Sequence, residues 1–246
     1  DELGAQEKTP LKVQMGAIQA CNLSPQNFSK FVEEYNVLDF PYLFKSLEVF
    51  RYTMGSPALN KGLHGEVEKR GWKVLKYEPT GFRGLGQGKK VPKGVKVPED
   101  INRLKVRVTA SKIEQKAFAL AGANPTPMAW GECYTGMQTG AIDALNVGIA
   151  PLYVTQIYET FKYWSPINFM INANMTIMNL KWYQGLPDSI KEAIDLAAKE
   201  SVAYQYKQQT INNALVAVKY LEAGIQWAQP SKDNYEKWYA KIGYQL

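Results

Sequence analysis

The stretch that decides the architecture is Leu104-Lys105-Val106-Arg107-Val108-Thr109-Ala110-Ser111, read on to Asn146. Its first part alternates, with Val106 and Val108 on one side and Lys105 and Arg107 on the other, as a strand with an apolar and a basic face does. Ser111 has the chemistry of a helix N-cap. Behind it Ile113, Ala117, Leu120 and Ala121 mark the predicted buried face of a helix, and Gly122 supplies the stop. Asn124-Pro125-Thr126-Pro127-Met128 must be extended, because a residue before proline avoids the helical region. A short helix is predicted over 131–139 and a second strand over 141–145. Strand, helix, strand in succession is the alternation of an α/β fold.

The same alternation extends outward. On the amino-terminal side, 9–14 read as the end of a helix and 17–21 as a buried strand. Helices are predicted over 42–53 and 56–69, the second ending at Gly71, followed by a strand over 72–77 and a Gly/Lys loop over 81–94. On the carboxyl side the longest periodic segment runs from Pro187 to Glu222. Ile190, Ala193, Ile194, Ala197, Ser201 and Tyr204 are its predicted inner face, and Gly224 ends it. A helix of that length reaches about 50 Å, more than one lobe is wide, so it is expected to run along two lobes. A short echo supports two lobes. Gly16-Ala17-Ile18-Gln19-Ala20-Cys21-Asn22 recurs as Gly140-Ala141-Ile142-Asp143-Ala144-Leu145-Asn146. Each copy ends in an asparagine at a strand's carboxyl end, where open α/β sheets bind ligands.

Composition narrows the function classes. The 246 residues are 46% hydrophobic and 21% charged, ordinary for a globular protein, and no apolar run approaches the roughly 18 residues of a membrane span. The opening residues are polar, so no signal peptide is visible. One histidine, His64, and two distant cysteines, Cys21 and Cys133, leave little stock for a metal site, and two buried free thiols are expected. No cofactor is expected: the run Gly81 to Gly88 lacks the Gly-Lys-Ser/Thr ending of a phosphate loop. The net charge of +6 points to anionic partners. Much of it falls in Lys89, Lys90, Lys93, Lys96, Arg103, Lys105 and Arg107, which keeps a nucleic-acid-binding reading open. A small-molecule enzyme is the other alternative, with His64 and Glu132 as its candidates.

Arg107 is the informative member of that cluster. It lies between two valines that should be buried, directly before a capped helix, and its planar fork suits a bidentate carboxylate contact. Three segments carry a family resemblance: Leu104 to Val108, Gly122 to Tyr134, and Met137 to Asp143. Together they resemble the central signature of TRAP transporter solute-binding proteins, the extracytoplasmic receptors of sodium-coupled carboxylate importers. Leu38 to Phe44, Gly81-Phe82-Arg83 and Trp182 to Pro187 are similar to flanking family segments, so nearly the whole chain is covered in order.

The resemblance implies an α/β, two-lobed, periplasmic-binding-protein-like fold with one long helix spanning both lobes. It implies lobe limits of 1–88 with 174–210 and 89–173 with 211–246, and closure about hinges near Gln87–Lys90, Ala173 and Thr210. It further implies a receptor without catalysis that captures an organic anion and passes it to TRAP-type membrane permease subunits, in the periplasm, with or without a lipid anchor, and binding no nucleic acid. Arg107 matches the carboxylate-gripping arginine, with Lys90 or Lys93 as the second basic residue, Trp130 as a cleft wall and Asn146 as a contact. Asn22, Arg83 and Asn124 complete the expected ligand-binding set. Asp1-Glu2-Leu3-Gly4 resembles a point inside the family pattern, which implies that the usual amino-terminal β-α-β unit is absent or precedes this numbering.

Overall fold

A computed structural model describes residues 8–243, so the expectation about the chain's first residues lies outside the described part. Helices α1 (Thr9–Gln14), α2 (Pro25–Phe28), α3 (Leu47–Met54), α4 (Pro57–Leu59) and α5 (Gly65–Lys69) accompany β1 (Ala20–Leu23) and precede β2 (Trp72–Gly88). Then follow β3 (Lys105–Val108), α6 (Lys112–Leu120), β4 (Asn124–Pro127), α7 (Cys133–Thr139), β5 (Ala144–Gly148), α8 (Ile149–Val154) and β6 (Phe161–Ser165). The chain closes with β7 (Ile171–Asn179), α9 (Leu180–Gln184), α10 (Asp188–Glu222), β8 (Gln226–Trp227) and α11 (Lys232–Ile242).

The α/β alternation is as expected, and the sheet order is β1-β7-β2-β5-β3-β4. Strand β2 joins its two halves. Up to Phe82 it pairs antiparallel with β7; from Arg83 it pairs with β5 instead. Cores gather on either side of this switch. Phe28, Tyr35, Phe50 and Trp72 pack with β7 residues Met175 and Ile177 in one half. In the other half two clusters cover the sheet. One holds Phe118, Phe169 and Trp238; the second holds Leu145, Trp164 and Tyr220.

Several sequence expectations are corrected by tertiary contacts. The predicted loop 81–94 is strand as far as Gly88. Its glycines are there for approach distance: a Cβ on Gly84 would sit 2.4 Å from the Trp164 ring, and one on Gly86 would sit 2.2 Å from the Phe161 ring. The helix predicted over 42–53 begins only at Leu47, where the Ser46 hydroxyl accepts from the Val49 amide (3.2 Å), while Glu33–Asp39 form a 3-10 helix. The strands predicted over 17–21 and 141–145 each begin three residues further on. Both stretches of the echo do open on a left-handed glycine, Gly16 at φ +78° and Gly140 at φ +80°. Cys133 is buried as expected, whereas Cys21, on edge strand β1, is only half-buried.

Helix α10 is continuous over 35 residues, as its periodicity predicts, but its inner face is not the predicted one. Ile190 is 46% exposed and Tyr204 66% exposed, while Ala198, Gln209, Val216 and Tyr220 are buried. The buried strip is polar where it crosses β2. Gln205 Nε2 donates to the Pro79 carbonyl (2.7 Å) and Asn213 Nδ2 to the Thr80 carbonyl (3.0 Å). The Gln209 amide, oriented to satisfy both partners, donates to Pro79 and accepts from the Gly81 amide. Here the β2–β7 register shifts between Pro79 and Gly81, opposite Ala173, and Gly81 takes φ +119°. Apolar periodicity cannot mark such a strip, because backbone groups freed by the bulge need polar partners.

Candidate functional site

Strands β3 and β5 run parallel, with Arg107 opposite Leu145, and their carboxyl ends point toward the junction with the other half of the molecule. Arg107 is 3% exposed, although the strand pattern alone would place it on a solvated face. Its Nε donates to the Met128 carbonyl (3.0 Å), and its guanidinium lies over the Trp130 ring at 5.7 Å. Among the described residues no carboxylate forms an ion pair with it. The Pro125–Pro127 strand delivers both contacts: it keeps β4 extended beside β3, Arg107 opposite Thr126, and brings Met128 and Trp130 over the arginine.

Arg83 lies at the point where β2 changes partners and is equally buried, but its charge is cancelled. Nη1 pairs with Glu114 Oε1 (3.1 Å) and Nη2 donates to Gln26 Oε1 (2.8 Å). Glu114 reaches this place because Ser111 caps α6: the Ser111 hydroxyl accepts from the Glu114 amide (3.2 Å). The other carboxylate oxygen accepts from the Thr109 amide (2.9 Å) and hydroxyl (2.5 Å), so a fully buried acid is held on both oxygens. Asn146, also fully buried, donates to Glu114 Oε1 (3.4 Å), while its Oδ1 has no partner. Gln26 in turn donates to Asp39 Oδ1 (2.8 Å), leaving Asp39 Oδ2 unpartnered.

Electrostatics separates the members. Burial drives the Asp39 carboxyl up to about 7, and the nearby Glu114 charge adds to this; hydrogen bonds from Ser111 and Gln26, and the Arg83 charge, only partly oppose it. Burial depresses the Arg83 guanidinium, with Glu114 and Asp39 holding it up and Arg107 close enough to repel it. One buried cation is therefore balanced and its neighbour is not. Balanced, Arg83 ties α2, β2 and α6 together; unbalanced, Arg107 retains a fork suited to an external anion.

The structure thus gathers Arg107, Trp130, Asn146 and Arg83, and leaves three expected residues elsewhere. Asn22 is an exposed residue of edge strand β1, where Nδ2 donates to Glu78 Oε2 (2.8 Å) and Thr176 Oγ1 (3.2 Å). Thr176 lies six residues along β7 from the Arg83 pairing, about 20 Å at the rise of a strand. Asn124 is exposed at the amino end of β4 and donates to the Arg103 carbonyl (3.1 Å). Lys90 follows the carboxyl end of β2, seven residues beyond Arg83, and lines a separate cavity of about 610 Å³ with Gly140 and Asp143. The alternative of a continuous basic patch loses two members, since Arg107 is buried and Lys93 pairs with Asp100 (2.5 Å). His64 and Glu132 do not meet the cluster. Sequence reading missed Glu114, Gln26 and Asp39. Only Ser111-x-x-Glu114 carried a local signal, that of a capping box, and it speaks for a helix start and not for an ion pair with β2.

Comparison with known proteins gives this geometry a context. The family model of bacterial extracellular solute-binding protein, family 7 (DctP), matches residues 1–244. An uncharacterized protein of Haemophilus influenzae is 31% identical over 91% of this chain and 67% of its own length. The 2,3-diketo-L-gulonate-binding periplasmic protein YiaO of Escherichia coli is 29% identical over 87% of this chain and 64% of its own. The chain therefore spans about two-thirds of the length of these relatives. A TRAP periplasmic solute-binding protein of Anaerococcus prevotii, solved with bound D-glucuronate, superposes with a TM-score of 0.90 over 98% of this chain and 76% of its own, at 26% identity. Among the described residues no helix is long and apolar enough to cross a membrane. With a two-lobed α/β fold shared and the family model matched almost end to end, the chain belongs to the bacterial extracellular solute-binding proteins of family 7.

Proposed function

We propose that this chain captures an organic acid between its two halves and delivers it, in the periplasm, to the membrane permease of a TRAP-type importer. The observation that carries this is Arg107: a buried guanidinium with no anionic partner among the described residues, beside an arginine that has one. A ligand carboxylate meets the free Nη edge of Arg107, Trp130 flanks it, and the unpartnered Asn146 Oδ1 accepts from a ligand hydroxyl. Sugar acids and keto acids head the list of ligands, supported by the diketogulonate named for one relative and the glucuronate bound to another. The role is binding and release, with no bond made or broken.

The first lobe boundary, expected after residue 88, falls in this reading at Phe82–Arg83, where β2 changes partners; the limits at 173/174 and 210/211 are kept, with β2 and β7 crossing between the lobes. Closure bends the chain near Ala173, near Thr210 of α10, and at Thr80–Gly81 in place of the Gln87–Lys90 hinge that the resemblance implies, because side chains of α10 hold the Pro79, Thr80 and Gly81 backbone groups there. A ligand that contacts both lobes favours the closed state by its differential affinity. Calorimetric titration of a sugar-acid and keto-acid panel against wild type and Arg107→Ala tests the proposal. One acid should bind wild type at micromolar or tighter Kd and lose most of that affinity in the variant. Equal affinity in both proteins would remove Arg107 from the site.

A further inference from the structure

A cavity whose lining does not include Arg107 lies along the amino-terminal half of the long helix. Its volume is about 590 Å³, and it opens between α3, the π-turn Asn60–His64, the free edge of β2 over Lys73–Tyr77, and the amino-terminal half of α10. Among the described residues this part of β2 is paired on one side, to β7, and its register shifts at Val74–Lys76. The size falls within the range of small-molecule sites.

Its floor is apolar, with Phe50, Met54, Val74 and Ala198 each under 10% exposed. Its rim is cationic. Arg51 lies over the Tyr206 ring at 5.5 Å and Lys73 over the Tyr183 ring at 4.4 Å. These contacts hold two cations in place without neutralising them. Lys199 is exposed on the same rim. Among the described residues none of the three forms an ion pair. Lys76 is the balanced one, paired with Glu78 at 2.8 Å. The one acid of the lining, Asp195, is engaged by the Tyr183 hydroxyl (2.8 Å).

The inner wall is built to stay fixed. His64 Nε2 bonds the Tyr77 hydroxyl (3.0 Å), which bonds the buried Tyr35 hydroxyl (2.7 Å). Burial, helped by Lys73, takes His64 down to about 4, so at neutral pH the wall is uncharged. The π-turn that sets this histidine is a distortion often found at functional sites.

From this combination we infer that the groove between β2 and α10 is a second ligand site, taking an amphipathic organic anion with a flat apolar body, such as an aryl carboxylate or sulfonate. The apolar body lies on Met54, Val74 and Ala198, and the anion meets the Arg51, Lys73 and Lys199 rim.

The probe is anilinonaphthalene sulfonate, titrated by fluorescence against the full chain at neutral pH. One saturable site is expected, with the same Kd in wild type and in Arg107→Ala. Lys199→Glu changes an exposed side chain and should raise Kd about fivefold, and adding Lys73→Ala should bring the loss to about thirtyfold. Ala203→Trp, at an exposed lining position, should abolish saturation while melting like wild type. Uncharged phenylnaphthylamine should bind at least tenfold more weakly. Non-saturable fluorescence, loss of the site in Arg107→Ala, or an unchanged Kd in Lys199→Glu and Ala203→Trp would overturn the assignment.

Discussion

Arg83 and Arg107 are both 3% exposed, within one cluster, and near enough to repel, yet one is balanced by Glu114 and the other by no carboxylate among the described residues. A buried cation without a partner is costly, so a fold that merely needed rigidity would pair both. The difference separates two jobs. Arg83 joins three elements and needs its partner in every state of the protein. Arg107 keeps its fork open, and its partner arrives from solution.

The largest effect should come from breaking the balanced member. Glu114→Ala strands the Arg83 charge and removes acceptors for Thr109 and Asn146, at a cost of about 3–5 kcal/mol of stability by urea denaturation. The double variant Arg83→Met with Glu114→Leu should recover much of this, because no charge is left unpaired. A double variant as unstable as the single one would show that the pair is more than a neutral strut.

Breaking the unbalanced member should leave folding alone and cost binding. Removing Arg107 deprives a ligand carboxylate of its partner, about 2–5 kcal/mol or roughly 30- to 3,000-fold in Kd. Arg107→Lys keeps the charge but not the fork and should recover part of it. Titration calorimetry beside melting curves distinguishes the two arginines. Destabilisation by Arg107→Ala equal to that by Glu114→Ala would erase the contrast.

Asp39 sharpens the comparison through pH. Its carboxyl is pushed up to about 7, so the folded state holds the proton more tightly than the unfolded chain. That contribution favours folding below about pH 4 and is lost as pH rises through about 7. Through this group, wild-type stability should fall between about pH 4 and 7 and level off above that. Asp39→Asn should flatten the profile and be more stable at pH 8, on the order of 1–3 kcal/mol. Parallel profiles for the two proteins would place the titration elsewhere.

The smallest effect belongs to the joint between the halves. A Cβ on Gly81 would lie 2.7 Å from Asn213 Nδ2 and force a side chain into φ +119°. Gly81→Ala should cost about 1–2 kcal/mol and change ligand association rates more than the Arg107 contact itself. Unaltered stopped-flow kinetics would move the hinge away from this bulge.

Much of the fold was legible because its signals are local. Caps, proline restrictions and a 35-residue period made α6, β4 and α10 readable, and Arg107 stood out as a cation between two buried valines. The family resemblance rests on the same contiguous segments. What the chain alone left undecided depends on partners far away in sequence. Gly84 and Gly86 look like loop residues until Trp164 and Phe161, some eighty residues later, stack where their Cβ atoms would be. The inner face of α10 was misread because at the β2 bulge that face is polar, and only the bulge's own backbone gives Gln209 a reason to be buried and Gln205 and Asn213 a reason to turn inward half-buried. Asn22 and Asn146 end matching sequence stretches, yet one lies on an edge strand and the other between β2 and β3. Local sequence determined which residues form strands and helices, since φ and ψ preferences act between near neighbours. Tertiary structure alone decided which of two arginines would be neutralised, because that depends on a glutamate brought from another element into a buried place.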